Sequence, residues 1–227
     1  MNPRVTEFLD EFRETVAECR RFCYAARARE FQAESITTLD TLESDIAALK
    51  AEMVELRDED AANCLLSLSL AARALSYELN MWVALKDDSA ALAWDCLVEA
   101  QTCASDAVCA HRISDHLEQY VDRLEILEGL LFPPITFMSA GMVIQESHCS
   151  ICGCEYGDCD HAKGEVYMGE MCTRVITKAA LQGASIVPEP ANKHARMVGI
   201  SDGDGMRDLL TWRLIPPADD EGSATGG

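Results

Sequence analysis

Four residues with metal-binding side chains fall within thirteen positions: Cys149-Ser150-Ile151-Cys152, then Cys159-Asp160-His161. A Cys-x2-Cys turn aims two thiolates at one ion, and a Cys/His pair after six intervening residues completes a tetrahedron. The pattern predicts a Zn2+ site with ligands Cys149, Cys152, Cys159 and His161. All four positions come from protein, which leaves none for an activated water, so such a site staples a fold and does not catalyse. Cys172 lies near enough in sequence to take the place of His161 as fourth ligand. Cys154 reads as a non-ligand beside the turn, and Asp158 and Asp160 flank ligands where they can orient His161 through its free ring nitrogen. A redox pair needs a helix N-terminus behind the Cys-x2-Cys to lower one thiol pKa. Gly153-Cys154-Glu155-Tyr156-Gly157 reads as a turn instead.

The elements that must position this cluster differ on its two sides. Between Pro3 and Pro133 there is no proline and only one glycine, Gly129. A stretch so rich in Ala, Leu, Glu and Arg predicts helix through residue 131. Leu39, Leu42, Ile46, Leu49, Met53 and Leu56 follow a 3-4-3-4-3 spacing, the seam of a coiled coil or bundle helix that needs a partner. The charged run Arg57-Asp58-Glu59-Asp60 ends it, and a second helix from Ala61 to about Asp87 is expected to return antiparallel. Asp87-Asp88-Ser89 predicts the cap of a third helix reaching Asp106, and Leu117 to Leu131 a last one. From Ile135 onward short β-like runs appear at 135–144, 166–168, 174–176 and 184–187, with one more strand or helix at 209–215. The expected class is α+β: residues 1–131 form an acidic helical bundle or coiled coil, and 135–215 a small zinc-stapled β-rich module. Residues 216–227, with prolines, acids, Gly and Ser, are expected to be disordered.

Bulk properties limit the partners. The formal net charge of −20 is spread along the chain, with 26 acidic and 12 basic side chains in residues 1–131 and 13 and 7 in residues 132–227. Such an excess repels phosphate backbones and anionic membranes, so it argues against nucleic acid and favours basic protein partners. Five of the eleven cysteines sit at 149–172, and the other six are scattered through helical patterns without a disulfide framework. The first ten residues lack the basic start and apolar run of a signal peptide, and no segment approaches a membrane span. A cytoplasmic setting is expected. There is no phosphate loop and no Gly-x-Ser-x-Gly elbow.

Residues 137–195 also carry a family resemblance. The order Ser139-Ala140-Gly141-Met142, the Cys/His cluster followed by Gly164, Tyr167, Gly169 and Cys172, and then Ala184-Ser185-Ile186-Val187-Pro188-Glu189-Pro190-Ala191-Asn192 resembles the carboxyl-terminal part of tailed-phage prohead maturation proteases, most closely their zinc-knuckle variants. The resemblance implies a serine-peptidase ancestry, with Ser139 where that family keeps its nucleophile. The family's acidic residue two places before the Ser of Ser-Ile-Val falls here on Gly183, and its upstream general-base His falls where this chain has Ala-rich helices. A serine hydroxyl without a base is a poor nucleophile at neutral pH. The expectation is therefore a non-enzymatic, phage- or prophage-related assembly or adaptor protein that binds a protein partner or itself through the helical half. The alternative is an active serine peptidase that processes phage head proteins with Ser139.

Overall fold

The computed structural model describes residues 2–203 and 205–215, so the 216–227 tail expected to be disordered lies outside the described residues. Five helices come first: α1 (Pro3–Arg20), α2 (Arg29–Glu55), α3 (Glu59–Lys86), α4 (Ala90–Ala110) and, after a 3-10 turn at Arg112–Leu117, α5 (Glu118–Leu131). Asn2 caps α1 by accepting the Arg4 N–H, ahead of Pro3, and Asp58 caps α3 by accepting the Ala61 N–H. Ser89 occupies the N-cap of α4 without a capping side-chain bond.

The seam on α2 finds its partner inside the chain. Leu39, Leu42, Ile46, Leu49 and Met53 are buried in one core cluster with Ala61, Leu65, Leu68, Ala72 and Leu75 of α3. Within the chain the seam is therefore covered by α3. Only Leu56, beyond the end of α2, stays in solvent, 65% exposed.

A second core joins α3, α4 and α5 to the β-rich part. Trp94 packs edge-on against Phe132 at 5.3 Å and tilted against Phe137 at 6.1 Å, so the first residue of the first strand sits in the helical core. One charge is enclosed among the helices. Glu78 of α3 is fully buried; it accepts from the Tyr120 hydroxyl at 2.8 Å and from Trp82 Nε1 at 3.3 Å, and the Arg123 guanidinium spans both its oxygens. Arg123 also donates to the carbonyl of Cys23, which ties the turn after α1 to α5.

The β-rich part is a long antiparallel ribbon of β1 (Phe137–Cys149) and β4 (Arg174–Val187), a tiny hairpin of β2 (Val166–Tyr167) and β3 (Glu170–Met171), and a three-stranded sheet of β5 (Gly199–Ser201), β6 (Met206–Asp208) and β7 (Leu214–Ile215). The separate runs expected at 174–176 and 184–187 are one strand. Thr177 to Gly183 has weak strand propensity by itself, but pairing with β1 carries it across, with Gln182 left over as a bulge between the Gly141–Gly183 and Met142–Leu181 pairs. Among the described residues no helix is long and apolar enough to cross a membrane.

Replacing Arg123 by Ala leaves Glu78 as an uncompensated buried charge, and loss of about 3 kcal/mol of stability is expected in urea unfolding. An Arg123→Ala chain as stable as the parent would show that the pair contributes nothing.

Candidate metal centre

The cluster forms where the ribbon opens. Cys149 is the last residue of β1, and Arg174, opposite it, is the first of β4. Between them the chain makes a knuckle: the Gly153 N–H donates to Cys149 O and the Cys149 N–H to Cys154 O, both at 2.9 Å. Gly153 takes φ +70°, a left-handed conformation that a side chain at this position would strain. The returning chain is pinned to the knuckle by Ser150 N–H to Thr173 O (3.0 Å) and by Thr173 N–H to the Ser150 hydroxyl (2.8 Å).

The Cys149, Cys152 and Cys159 sulfurs and a ring nitrogen of His161 all lie within 4.8 Å of one another. This is the geometry of four donors around one ion. The His161 ring supplies the fit test. Its Nδ1 is buried with no hydrogen-bond partner among the described residues, a cost that a metal bond removes. Tyr167 orients that ring, its own ring standing edge-on at 4.6 Å while its hydroxyl accepts the Ala162 N–H at 2.9 Å. Cys172, the alternative ligand, is fully buried with its sulfur 3.8 Å from that of Cys149, about the sulfur–sulfur edge of a tetrahedron with metal–sulfur bonds of ~2.3 Å. It falls outside the mutually close four. Cys154 is exposed beside the turn.

The thiols already share their protons unevenly. Burial alone would raise the Cys149 pKa, but the backbone N–H groups of Cys152 and Ile151 and the Cys159 and Cys172 thiols bring it down to about 6. Cys159 gains from the His161 N–H, yet desolvation, hydrogen bonding to Cys152 and Cys149 and the Cys149 charge push it up to about 11. The opposite shifts make Cys149 the readier thiolate of the two and Cys159 the thiol whose proton an incoming cation must expel.

A support that the residue pattern did not reveal lies in the helical half. Asn63 of α3 accepts the Gly169 N–H at 2.7 Å, Lys50 donates to Gly169 O at 3.2 Å, and Glu59 accepts the Met168 N–H at 3.3 Å. Gly169 is required here, since a Cβ would stand 3.1 Å from both Ala62 O and Lys50 Cδ at a φ of +77°. These contacts dock the β2–β3 hairpin, and with it Tyr167, on α2 and α3. Single polar residues on a helix face carry no periodic signal in the sequence.

Ser139 lies apart from this cluster, in the first half of β1 opposite Ser185. Among the described residues no imidazole or carboxylate hydrogen-bonds its hydroxyl. His148 is nine residues further along the strand, about 30 Å away. His194 is brought near by the pairing of Ala195 O with the Met138 N–H, but its ring nitrogens face Asp95 and Glu99 at 3.3 and 3.0 Å. Comparison of the chain with family models, curated proteins and solved structures returns no match.

Cys152→Ser and His161→Ala are expected to abolish metal binding, and Cys172→Ser to retain it, by metal analysis of the purified chains; metal loss in Cys172→Ser alone would make Cys172 the fourth ligand. Because the Cys159 proton must leave, affinity should rise with pH through and above neutrality and fall on acidification. Chelator competition across pH measures this, and a flat profile would rule out thiolate ligation by Cys159.

Proposed function

We propose that this chain is a non-enzymatic zinc-binding assembly or adaptor protein, phage- or prophage-related, in which zinc holds residues 149–172 as a rigid recognition element on a helical platform. The observation that carries this reading is the closed donor set. Four protein ligands around one ion leave no coordination position for a reacting water, and a three-thiol, one-imidazole set suits zinc. The phage-related part of the reading is supported by the resemblance of residues 137–195 to prohead maturation proteases. The isolation of Ser139 from any hydrogen-bonded base supports an adaptor over a peptidase.

The helical half offers a place for a partner other than the α2 seam. A cavity of about 910 Å³ runs between α1 and the 3-10 turn, floored by α3. Leu9, Phe12 and Val16 of α1 and Leu75 of α3 line it, Arg13, Arg20, Arg21 and Arg27 surround it, and among the described residues no Asp or Glu contributes to its lining. Arg13 faces Asp10 at 3.4 Å, and Arg20 lies over the Tyr120 ring at 5.8 Å. In a chain of net charge −20 this local reversal selects an acidic partner, contrary to the basic partner that the overall charge suggests. The α1 residues from Leu9 to Arg20 span about 17 Å of helix, three turns. The partner is read as an acidic amphipathic helix laid into the groove.

Native mass spectrometry with and without a chelator tests the metal reading, with one zinc per chain expected and a metal-free chain overturning it. A synthetic helical peptide with a leucine stripe flanked by Glu should bind, more weakly at high salt and at least about tenfold more weakly to an Arg20→Glu/Arg27→Glu chain. Equal binding of the same peptide with Lys in place of Glu would remove the groove from the reading. Labelling by a fluorophosphonate probe that is lost in Ser139→Ala would replace the adaptor with a peptidase.

A further inference from the structure

The β1–β4 ribbon is built like part of a larger sheet. Its register pairs Met138 with Ile186, Ala140 with Ala184, Met142 with Leu181 and Ile144 with Ala179. Residues directly opposite share a face, and side chains alternate along a strand, so these eight form one continuous face, all apolar. That face is open to solvent: Met138 is 48% exposed, Met142 53%, Ile186 68% and Leu181 71%. Isolated two-stranded ribbons are marginal in water, and stable ones normally pack one face on something. Single exposed apolar side chains are ordinary, but a contiguous patch marks a contact surface.

Charge limits the occupant. None of residues 137–144 and 179–187 is charged, in a chain that is 26% charged. The charged pairs begin only beyond the patch, with the Glu146–Lys178 ion pair at 3.1 Å. A basic or acidic partner would find nothing there to pair with. Two copies of this chain repel each other over the rest of their surfaces, and here they can meet without placing like charges together or leaving a buried charge unpaired. An uncharged patch of Met, Leu, Ile and Ala side chains can also meet its own copy across a twofold axis without opposing like charges, as an isologous contact requires. The rim of β1 is partly occupied already, with Met138 N–H donating to Ala195 O at 2.8 Å and Met197 N–H to Thr136 O at 2.9 Å, which leaves the face as the larger open surface.

We propose that the apolar face centred on the Met142–Leu181 pair packs against the same face of a second copy, making the protein a homodimer through its ribbon. This deepens the assembly reading, on which it rests for a role, by naming one partner of the chain. The two can fail separately, because the metal and groove experiments above do not depend on the dimer.

The test is sedimentation of the full, zinc-loaded chain, with zinc content of each variant as the check that it has folded. The parent should sediment at twice its 24.9 kDa mass. Leu181→Glu, and separately Met142→Glu, should raise the dimer dissociation constant by about a hundredfold or more, because each places like charges together across the twofold. Ala180→Glu, on the opposite face beside Val143, should leave the dimer intact. A Met142→Lys/Leu181→Lys chain mixed with a Met142→Glu/Leu181→Glu chain should recover a heterodimer that neither forms alone. A parent that stays monomeric while holding its zinc overturns the proposal. So does a dimer that survives Leu181→Glu in a folded, zinc-loaded chain.

Discussion

Closure of the excursion between Cys149 and Cys172 is the constraint on which the β-rich part depends. The two sulfurs stand 3.8 Å apart, both buried, where β1 ends and β4 is about to begin. The segment between them is short of apolar core, containing one two-residue hairpin and several turns. Its order must come from elsewhere. Cys149, Cys152, Cys159 and His161 converge on one point, where ligation of a metal ion would remove chain entropy that few buried side chains are present to offset. The same closure sets the separation of β1 and β4 where the ribbon meets the cluster.

The opposite end of the ribbon is fixed by the helices. Phe137 enters the core beside Trp94 and Phe132, while the Trp94 indole donates to Lys193 O, and Lys193 and His194 reach carboxylates on α5 and α4. The β2–β3 hairpin is held a third time through Asn63 and Lys50. Ribbon and cluster are therefore presented on a platform, anchored at their ends and bare along the middle. Among the described residues, the side chains of the middle of the ribbon remain largely exposed.

Charge is distributed to match. The acidic excess covers most of the molecule, yet the groove beside α1 gathers arginines and the middle of the ribbon carries no charge. The groove gathers its arginines around buried apolar side chains, while the ribbon's apolar side chains are exposed. Long-range repulsion thus opposes adventitious association, while these two local surfaces depart from it in charge.

The residue pattern alone determined a good deal. The absence of helix breakers up to Pro133 made most of the described residues up to 131 helical, with a break within the charged run Arg57-Asp58-Glu59-Asp60, because helix formation depends on near neighbours in sequence. The Cys-x2-Cys spacing with Cys159 and His161 picked out the four donors, because ligands on one short loop are local too. Only the tertiary structure decided where the α2 seam was buried, that β4 ran unbroken through Thr177–Gly183, that Cys172 stood behind the cluster beside Cys149, that Asn63 and Gly169 joined the two halves, and that Glu78 was enclosed with Arg123. Each of these depends on which surfaces meet across long sequence separations. Period and propensity say that a face must be covered, but the covering surface is chosen by packing complementarity, which no local stretch of sequence contains.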